Sequence, residues 1–377
     1  MGDILGNMKI LIYDPHLKTV GGVPRFTATS ASILSERYSV TLMCPKDVSV
    51  TEIGRFYGLS LDNVNIIPMP EADASISELT VDYDIFFNTS GSYWIKPQAK
   101  RNIFYCHFPL VHRWRRFDLN SFTRGVFGRD IPIAKGIELQ TRYRSPNFFV
   151  DEYDKVLCLS YFTREWIWRR WRLKADVLYL FGDMSGSPVK KENVILNVSR
   201  FERDKCQHIL LPAFKRLIKT GIRGWKLILC GYRYPGNEEY IRHILDSAAG
   251  LPVEFVFNPD VNILHNLYAS SSIFWHLRGI DAPRLSPERM EHFGLVVVEA
   301  MQNGCVPIIF NGGGHPEIVM RSGEDGFLIQ NQDELIECTV RLINDGELLR
   351  NISANVRRAV DVFSLDKFRE RLYSAIL

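Results

Sequence analysis

No apolar run in the chain approaches the roughly 18 residues that a membrane-spanning helix needs. The seven cysteines include no Cys-x-x-Cys pair, so neither a zinc site nor a disulfide framework is indicated. Cys44, Cys106, Cys158 and Cys230 lie in or at the ends of apolar runs, where a buried thiol of a reducing compartment is the expected state. Net charge is nearly absent as well. With 46 Lys and Arg against 43 Asp and Glu, the balance of +3 implies no polyanionic partner for the molecule as a whole. Gly-x-Gly-x-x-Gly does not occur, so the dinucleotide fingerprint is not met. There is no repeat of solenoid period and no low-complexity tract. Residues 1–7 lack the charged and apolar regions of a signal peptide and read either as an upstream start or as an expression-vector remnant before Met8. The expected location is therefore the cytoplasm.

What is present is the composition of an ordinary soluble protein, with 46% hydrophobic and 24% charged residues over 377 positions, enough for two domains. Short apolar runs alternate with helical stretches. Met8–Tyr13, Val40–Cys44, Val64–Pro68, Ile85–Asn88, Ile103–Cys106, Lys155–Ser160 and Val177–Phe181 read as strands of a parallel α/β sheet. A second series is Val194–Val198, Lys226–Cys230, Val253–Phe257, Ile273–His276, Val306–Phe310 and Gly326–Ile329. The polar, Gly- and Ser-rich stretch between the two series is the best linker. The expected organisation is a Rossmann-like domain over 1–183, a linker over 184–193 and a second Rossmann-like domain over 194–363. A terminal amphipathic helix over 364–377 follows, with Leu365, Phe368, Leu372 and Ile376 on one face.

The stretch Glu291–Met301 (EHFGLVVVEAM) carries the chemistry. If Gly294 opens a helix, the N–H groups of its first turn point at whatever lies in front and favour an anion there. Glu291 and Glu299 then stand on either side, each able to accept hydrogen bonds from hydroxyls. Hydroxyl, anion, hydroxyl is the layout of a nucleotide-sugar. A glycosidase pair is the alternative. Eight helical residues rise about 12 Å, whereas glycosidase carboxylates stand roughly 5–9.5 Å apart. A solvated acidic loop is the plainer reading of two glutamates alone. Intrinsic propensity makes Leu295–Val298 a strand.

The whole string closely resembles the Glu-x7-Glu motif of family 4 retaining glycosyltransferases, of the bacterial polysaccharide and glycolipid type. That resemblance makes the stretch a helix, and we adopt it. It implies the GT-B fold, two Rossmann-like domains facing a central cleft, the last helix crossing back onto the first. It implies a retaining enzyme that moves a hexose from a nucleotide-diphosphate sugar to a glycan or lipid-linked glycan. UDP-hexose, such as UDP-glucose, is the favoured donor and GDP-mannose the next. Residue by residue, Glu291 and His107 match the catalytic positions, His107 lying beyond the strand Ile103–Cys106. Arg200 and Lys205, spaced by five after a strand, match the cation pair beneath the donor diphosphate, in place of a metal. Gly21 and Gly22 match the Gly-Gly loop after the first strand. His292, Phe293, Gly294, Leu295 and Glu299 complete the donor site, and Val261 matches the nucleobase region. Gly313, Gly314, Pro316 and Glu317 match a Gly-Gly-x-Pro-Glu pattern whose glycines let backbone N–H groups crowd a ligand. No cofactor and no metal are expected. Asp82-Tyr-Asp84 has a metal-binding spacing, but it sits just before a strand where a short acid commonly ends a turn. The chain departs from the family between His276 and Glu291, which is longer than usual; Arg278 and Arg284 in it are candidates for choosing sugar or acceptor.

One stretch fits two readings. Segment 112–172 mixes Arg with Trp, notably His112–Phe117 and Arg164–Arg172. Such a mixture suits weak contact with an anionic membrane, on the inner face of the cell membrane. The alternative buries Trp166, Ile167 and Trp171 against the sheet and leaves the arginines solvated. Nucleic acid is not expected, since no recognition motif accompanies the basicity. Two further functions remain alongside transfer: a GT-B epimerase acting on the same donor, and a catalytically silent nucleotide-sugar-binding module.

Overall fold

The structure is a computed structural model that describes residues 8–17, 21–91, 95–110, 149–182, 189–283 and 286–377. The chain divides into two compact units, Met1–Tyr179 with Arg369–Leu377, and Leu180–Phe368.

The first unit is built on seven parallel strands: β1 (Lys9–Tyr13), β2 (Ser39–Cys44), β3 (Val64–Pro68), β4 (Ile85–Asn88), β5 (Arg101–Cys106), β6 (Lys155–Cys158) and β7 (Asp176–Val177). They lie in the order β3-β2-β1-β4-β5-β6-β7. Ile10, Leu11, Ile12, Phe86, Phe87, Phe104 and Tyr105 are fully buried. Helices cover both faces of a parallel sheet, so inner strands carry continuous apolar runs rather than alternation. Burying each such side chain contributes about 1.5–3 kcal/mol. Its described helices are α1 (Gly22–Ser35), α2 (Val50–Tyr57), α3 (Asp73–Leu79) and α4 (Tyr161–Trp171).

The second unit repeats the plan with β8 (Glu192–Val198), β9 (Lys226–Gly231), β10 (Val253–Phe257), β11 (Ser271–His276), β12 (Val306–Phe310) and β13 (Phe327–Ile329), in the order β10-β9-β8-β11-β12-β13. Its helices are α5 (Gln207–Lys219), α6 (Glu238–Ser247), α7 (Val261–Ser270), α8 (Leu295–Gln302), α9 (Gln332–Asn344) and α10 (Gly346–Ala359). In both sheets the first strand pairs with the second on one side and with the fourth on the other. That is the Rossmann order, in which ligands bind beyond the carboxyl ends of the strands where the winding changes direction.

Two strand expectations need correction. The last strand of the first sheet is two residues, not the five of Val177–Phe181, because β6 offers partners only at Leu157 and Cys158 before the chain turns into α4. The stretch taken for linker ends earlier than 193, since β8 already starts at Glu192; positions 183–188 lie outside the described residues.

Leu295–Val298 is helical despite its propensity. Three valines in a helix cost roughly 0.5 kcal/mol each, whereas burying Val297, Val298 and Met301 contributes about 1.5–3 kcal/mol apiece. All three are fully buried, so tertiary packing wins. The final helix, α11 (Leu365–Ile376), buries Phe368, Leu372 and Ile376. From Arg369 onward it belongs to the first unit. There Tyr373 Oη donates to Ile33 O at 2.7 Å, Lys155 Nζ donates to Ala375 O at 3.0 Å, and Arg369 pairs with Glu36.

Candidate functional site

The second unit gathers its charge at the change of winding between β8 and β11. β8 runs into Ser199 and Arg200; Gln207 Nε2 fixes this loop by donating to Ser199 Oγ and to Arg200 O, both at 2.8 Å. A short turn, Arg203–Lys205, then delivers Lys205. β11 ends at His276, with Arg278 two residues on. Glu291 meets all three. Its Oε2 lies 3.3 Å from Lys205 Nζ, 3.2 Å from His276 Nε2 and 3.7 Å from Arg278 Nη1. Arg278 Nη2 also reaches Asp204 Oδ2 at 3.3 Å, and Arg200 Nη2 pairs with Glu202 Oε2 at 3.1 Å. Three cations therefore face three carboxylates.

The Glu291 side chain is only 14% exposed. Burial pushes its carboxyl up, but Lys205 and Arg278 outweigh burial and hold it well below the usual carboxylate range. Lys205 is lowered by burial, against which Glu291 works. His276 is likewise lowered by burial, so a neutral ring donates Nε2–H to the carboxylate. Two more neutral histidines stand close: burial brings His292 and His315 to about 3.

The glycines here hold protein, not open space. A Cβ on Gly313, whose φ is +62°, would lie 2.0 Å from Glu291 O, and one on Gly314 would lie 2.5 Å from His292 O. Gly314 N donates to Glu291 O at 2.8 Å. The expectation that this Gly-Gly pair presents N–H groups to a ligand is thus corrected at Gly314, whose N–H is taken by the main chain of Glu291. Gly294 has φ +109° and starts α8.

The remaining donor-side positions fall as follows. Glu299 is on α8 and nearly buried, with Tyr268 Oη of α7 donating to its Oε2 at 3.0 Å. Phe293 is buried against Phe363, so its side chain belongs to the core and only its main chain can face a donor. His292 and Leu295 keep part of their surface. Val261 begins α7, beyond the carboxyl end of β10, after the cap Asp260, which accepts from Ile263 N at 2.8 Å. An open groove of about 740 Å³ beside Ile218, Trp225 and Pro252 lies at the amino edge of the same sheet, opposite these residues.

In the first unit, Asp14 follows β1, Thr89 follows β4 and His107 follows β5. Thr27 Oγ1 donates to Asp14 Oδ2 at 2.8 Å and sits 2.9 Å from Thr89 Oγ1. His107 makes a hydrogen bond to the Thr89 main chain, and burial lowers it to about 4. Its Nε2 is buried without a hydrogen-bond partner among the described residues. Gly21 precedes α1, exchanging hydrogen bonds with Tyr57 Oη, and Gly22 is the first residue of α1. A Cβ on Gly21 would touch only Pro24 Cδ, at 3.9 Å, so nothing in this unit's packing demands glycine there.

Asp82 and Asp84 lie at the amino edge of the first sheet, away from this strand-end cluster. Asp84 is taken by Lys9 N at 2.8 Å and Lys100 Nζ at 2.7 Å. Among the described residues no three His, Cys, Asp or Glu are arranged to hold a metal ion. Helix α4 splits the Arg/Trp segment. Ile167 and Trp171 are core, Trp166 is half-buried and Trp168 is exposed. Arg170, expected in solvent, is buried instead, its Nη1 donating to Pro109 O at 2.7 Å over the rings of Phe108 and Trp166. Residues 112–148 and Arg284 lie outside the described residues. No described helix is long and apolar enough to cross a membrane.

Sequence reasoning singled out Arg200, Lys205, Glu291 and Glu299 as candidates but not Tyr268, and it gave His276 and Arg278 no contact with Glu291. The available signal was position: His276 ends a strand at the change of winding and Arg278 lies two residues beyond it.

Residues 184–359 match the family described as Glycosyl transferases group 1. Mouse alpha-1,3/1,6-mannosyltransferase ALG2 is 25% identical over 310 residues, covering 74% of this chain and 68% of its own length. Neurospora crassa alpha-1,3/1,6-mannosyltransferase alg-2 is 28% identical over 209 residues, 50% of this chain, and the chain spans 44% of that relative. The crystal structure of Anabaena Alr3699/HepE in complex with UDP and glucose superimposes with a TM-score of 0.70 at 18% identity, over 97% of this chain and 98% of its own. With its two Rossmann-like units this chain has the GT-B fold, and over residues 184–359 it is similar to the Glycosyl transferases group 1 family.

Proposed function

We propose that the protein is a retaining, metal-independent hexosyltransferase that takes a nucleoside-diphosphate sugar as donor and a glycan or lipid-linked glycan hydroxyl as acceptor. The observation that carries the reading is Glu291, an ionised and nearly buried carboxylate beside Lys205 at the change of winding of the second sheet. Arg200 and Lys205 give up Glu202 and Glu291 to bind the diphosphate, and they stabilise the charge that grows on the leaving phosphate. Glu291 then accepts a hydroxyl of the transferred sugar, and Glu299 accepts from the ribose. His107 is assigned to the sugar side by family resemblance. The anomeric carbon–phosphate oxygen bond breaks while the acceptor oxygen bonds to the same face. The departing phosphate oxygen takes the acceptor proton, so nucleoside diphosphate is released.

The transferred sugar we assign first is mannose, because the sequence relatives bear mannosyltransferase names; glucose from a UDP donor is second, in line with the UDP and glucose of the Anabaena complex. The exposed face of Tyr161, Arg164, Trp168, Arg169 and Arg172 supports weak attachment to an anionic inner leaflet, where each Lys or Arg contributes about 1 kcal/mol.

The test incubates the full chain with GDP-mannose or UDP-glucose and membrane lipid extract as acceptor. Release of nucleoside diphosphate together with a new α-linked glycoside is expected. An isomerised nucleotide-sugar without transfer would establish the epimerase, and binding without turnover the silent module. Sedimentation with anionic vesicles at low salt, lost at 1 M salt where screening acts over about 3 Å, is expected for the membrane contact. Replacing Arg164, Arg169 and Arg172 with Ser should weaken it, leaving buried Arg170 in place.

A further inference from the structure

Glu291 is held by one oxygen. Lys205, His276 and Arg278 all face Oε2, while Oε1 accepts no hydrogen bond among the described residues. A carboxylate offers about four lone-pair positions, so the crowding of one oxygen leaves the other to be presented outward. The three donors are not equivalent. Lys205 stands on the loop after β8 beside Arg200, and in the reading above it belongs to the diphosphate once donor binds. His276 ends β11, the neighbouring strand, and Arg278 follows it; neither pairs with Arg200 or its loop partner Glu202. His276 is almost wholly buried, with its ring stacked beside Phe274 and 5.3 Å from the ring of His315. Arg278 is braced on its other side by Asp204, the residue immediately before Lys205. When Lys205 turns to the diphosphate, Glu291 therefore keeps two partners that donor binding does not claim.

We propose that His276 and Arg278 are positioning residues for Glu291: they hold its Oε2 so that Oε1 stays aimed at the sugar hydroxyl after the diphosphate has taken Lys205. The inference rests on the hexosyltransferase reading and deepens it. It assigns to the long connection after His276 a purpose that its charge alone leaves open. Arg278 does not choose among sugars by touching them; it fixes the carboxylate that does. A buried carboxylate that lost these partners would either turn away or take a proton, and in both cases the sugar loses its acceptor while the diphosphate keeps its cations.

Binding of UDP, UDP-glucose, GDP and GDP-mannose to the full chain is measured by calorimetry, and the preference for nucleotide-sugar over its diphosphate is the quantity read. Arg278→Gln and His276→Leu should each cut that preference about tenfold while changing diphosphate affinity less than threefold. His276→Gln, which keeps an N–H donor near the same place, should retain it. Arg278→Gln combined with Glu291→Gln should lose no more than Glu291→Gln alone. Equal losses for diphosphate and nucleotide-sugar would overturn the proposal, making Arg278 a phosphate-binding cation or a scaffold residue, and so would additive losses in the double variant. Should Arg278→Gln fail to fold, Arg278→Lys replaces it, since one ammonium cannot reach both Asp204 and Glu291; an unchanged preference there refutes the idea. If the wild-type chain binds none of the four ligands, the hexosyltransferase reading falls and takes this with it. If Glu291→Gln abolishes the preference while the Arg278 variants keep it, only the present inference falls.

Discussion

Replacing Gly313 with Ala tests whether main-chain contact, rather than side-chain charge, sets the place of Glu291. The new Cβ would stand 2.0 Å from Glu291 O, with φ at +62°. The left-handed conformation costs a residue with a Cβ about 1–2 kcal/mol. Forcing apart a packed contact adds roughly 1–3 kcal/mol, so about 2–5 kcal/mol is expected. Gly323 supplies the control: its φ is +95°, and a Cβ there meets nothing within 4 Å. Gly323→Ala should cost only the conformational part, about 1–2 kcal/mol. In a unit of this size each kcal/mol shifts Tm by about 2–4 °C. The transition of the second unit, followed by scanning calorimetry, should therefore fall by roughly 4–20 °C for Gly313→Ala and 2–8 °C for Gly323→Ala. Nucleotide-sugar affinity should drop in the first variant and not in the second. Indistinguishable melting and unchanged binding in the two variants would show that the Gly313–Glu291 approach is slack, and the argument for a fixed Glu291 would lose its backbone half.

Other outcomes follow from the same contacts. Transfer should persist in excess EDTA, because the proposed function gives the diphosphate charge to Arg200 and Lys205 rather than to a divalent ion; abolition by EDTA and rescue by Mg²⁺ or Mn²⁺ would refute that. Burial depresses His292 and His315 to about 3 and His107 to about 4. Below the unfolded value near 6.5 the unfolded chain then binds more protons, so urea-measured stability should fall with pH by up to about 1.4 kcal/mol per unit per histidine; a flat profile from pH 6.5 to 5 would contradict their burial. Glu291 acts in the same direction, but lower on the pH scale. Its depressed carboxyl lends stability that is complete above the unfolded value near 4.3 and fades only below it. The stability gap between wild type and Glu291→Gln should therefore be constant from pH 8 to 5. Arg170→Ala should destabilise by about 1.5–3 kcal/mol through lost hydrogen bonds to Pro109 and Leu110, whereas Arg169→Ala, which loses an exposed pair with Glu165, should stay within about 0.5 kcal/mol.

The strands were legible because parallel sheets buried on both faces demand unbroken apolar runs, and Ile10–Ile12 or Ile273–Trp275 supply them. Helix α8 was not legible from propensity: Leu295–Val298 folds as it does because Gly294 turns the chain and Val297, Val298 and Met301 are swallowed by the core. Arg200, Lys205 and Glu291 could be picked out by motif, but their mutual distances could not. The hold of His276 and Arg278 on Glu291, and of Tyr268 on Glu299, joins residues 13 to 31 positions apart through the tertiary fold, with no local pattern to announce it. Arg170 misled for the opposite reason, since a cation in an Arg-rich helix reads as solvated until the carbonyls of Pro109 and Leu110 are found beside it.

The last helix has a consequence for the order of events during synthesis. Arg369–Leu377 completes a unit whose other residues were made first, with the whole second unit translated in between. Until those nine residues leave the ribosome, Ile33 O and Tyr38 lack Tyr373, and Lys155 lacks Ala375. Domains made first generally fold first, yet here the earliest-made unit is the last to be closed. A nascent chain stalled after residue 368 should therefore present a finished second unit and an open, chaperone-binding first one, the reverse of the usual sequence along a growing polypeptide.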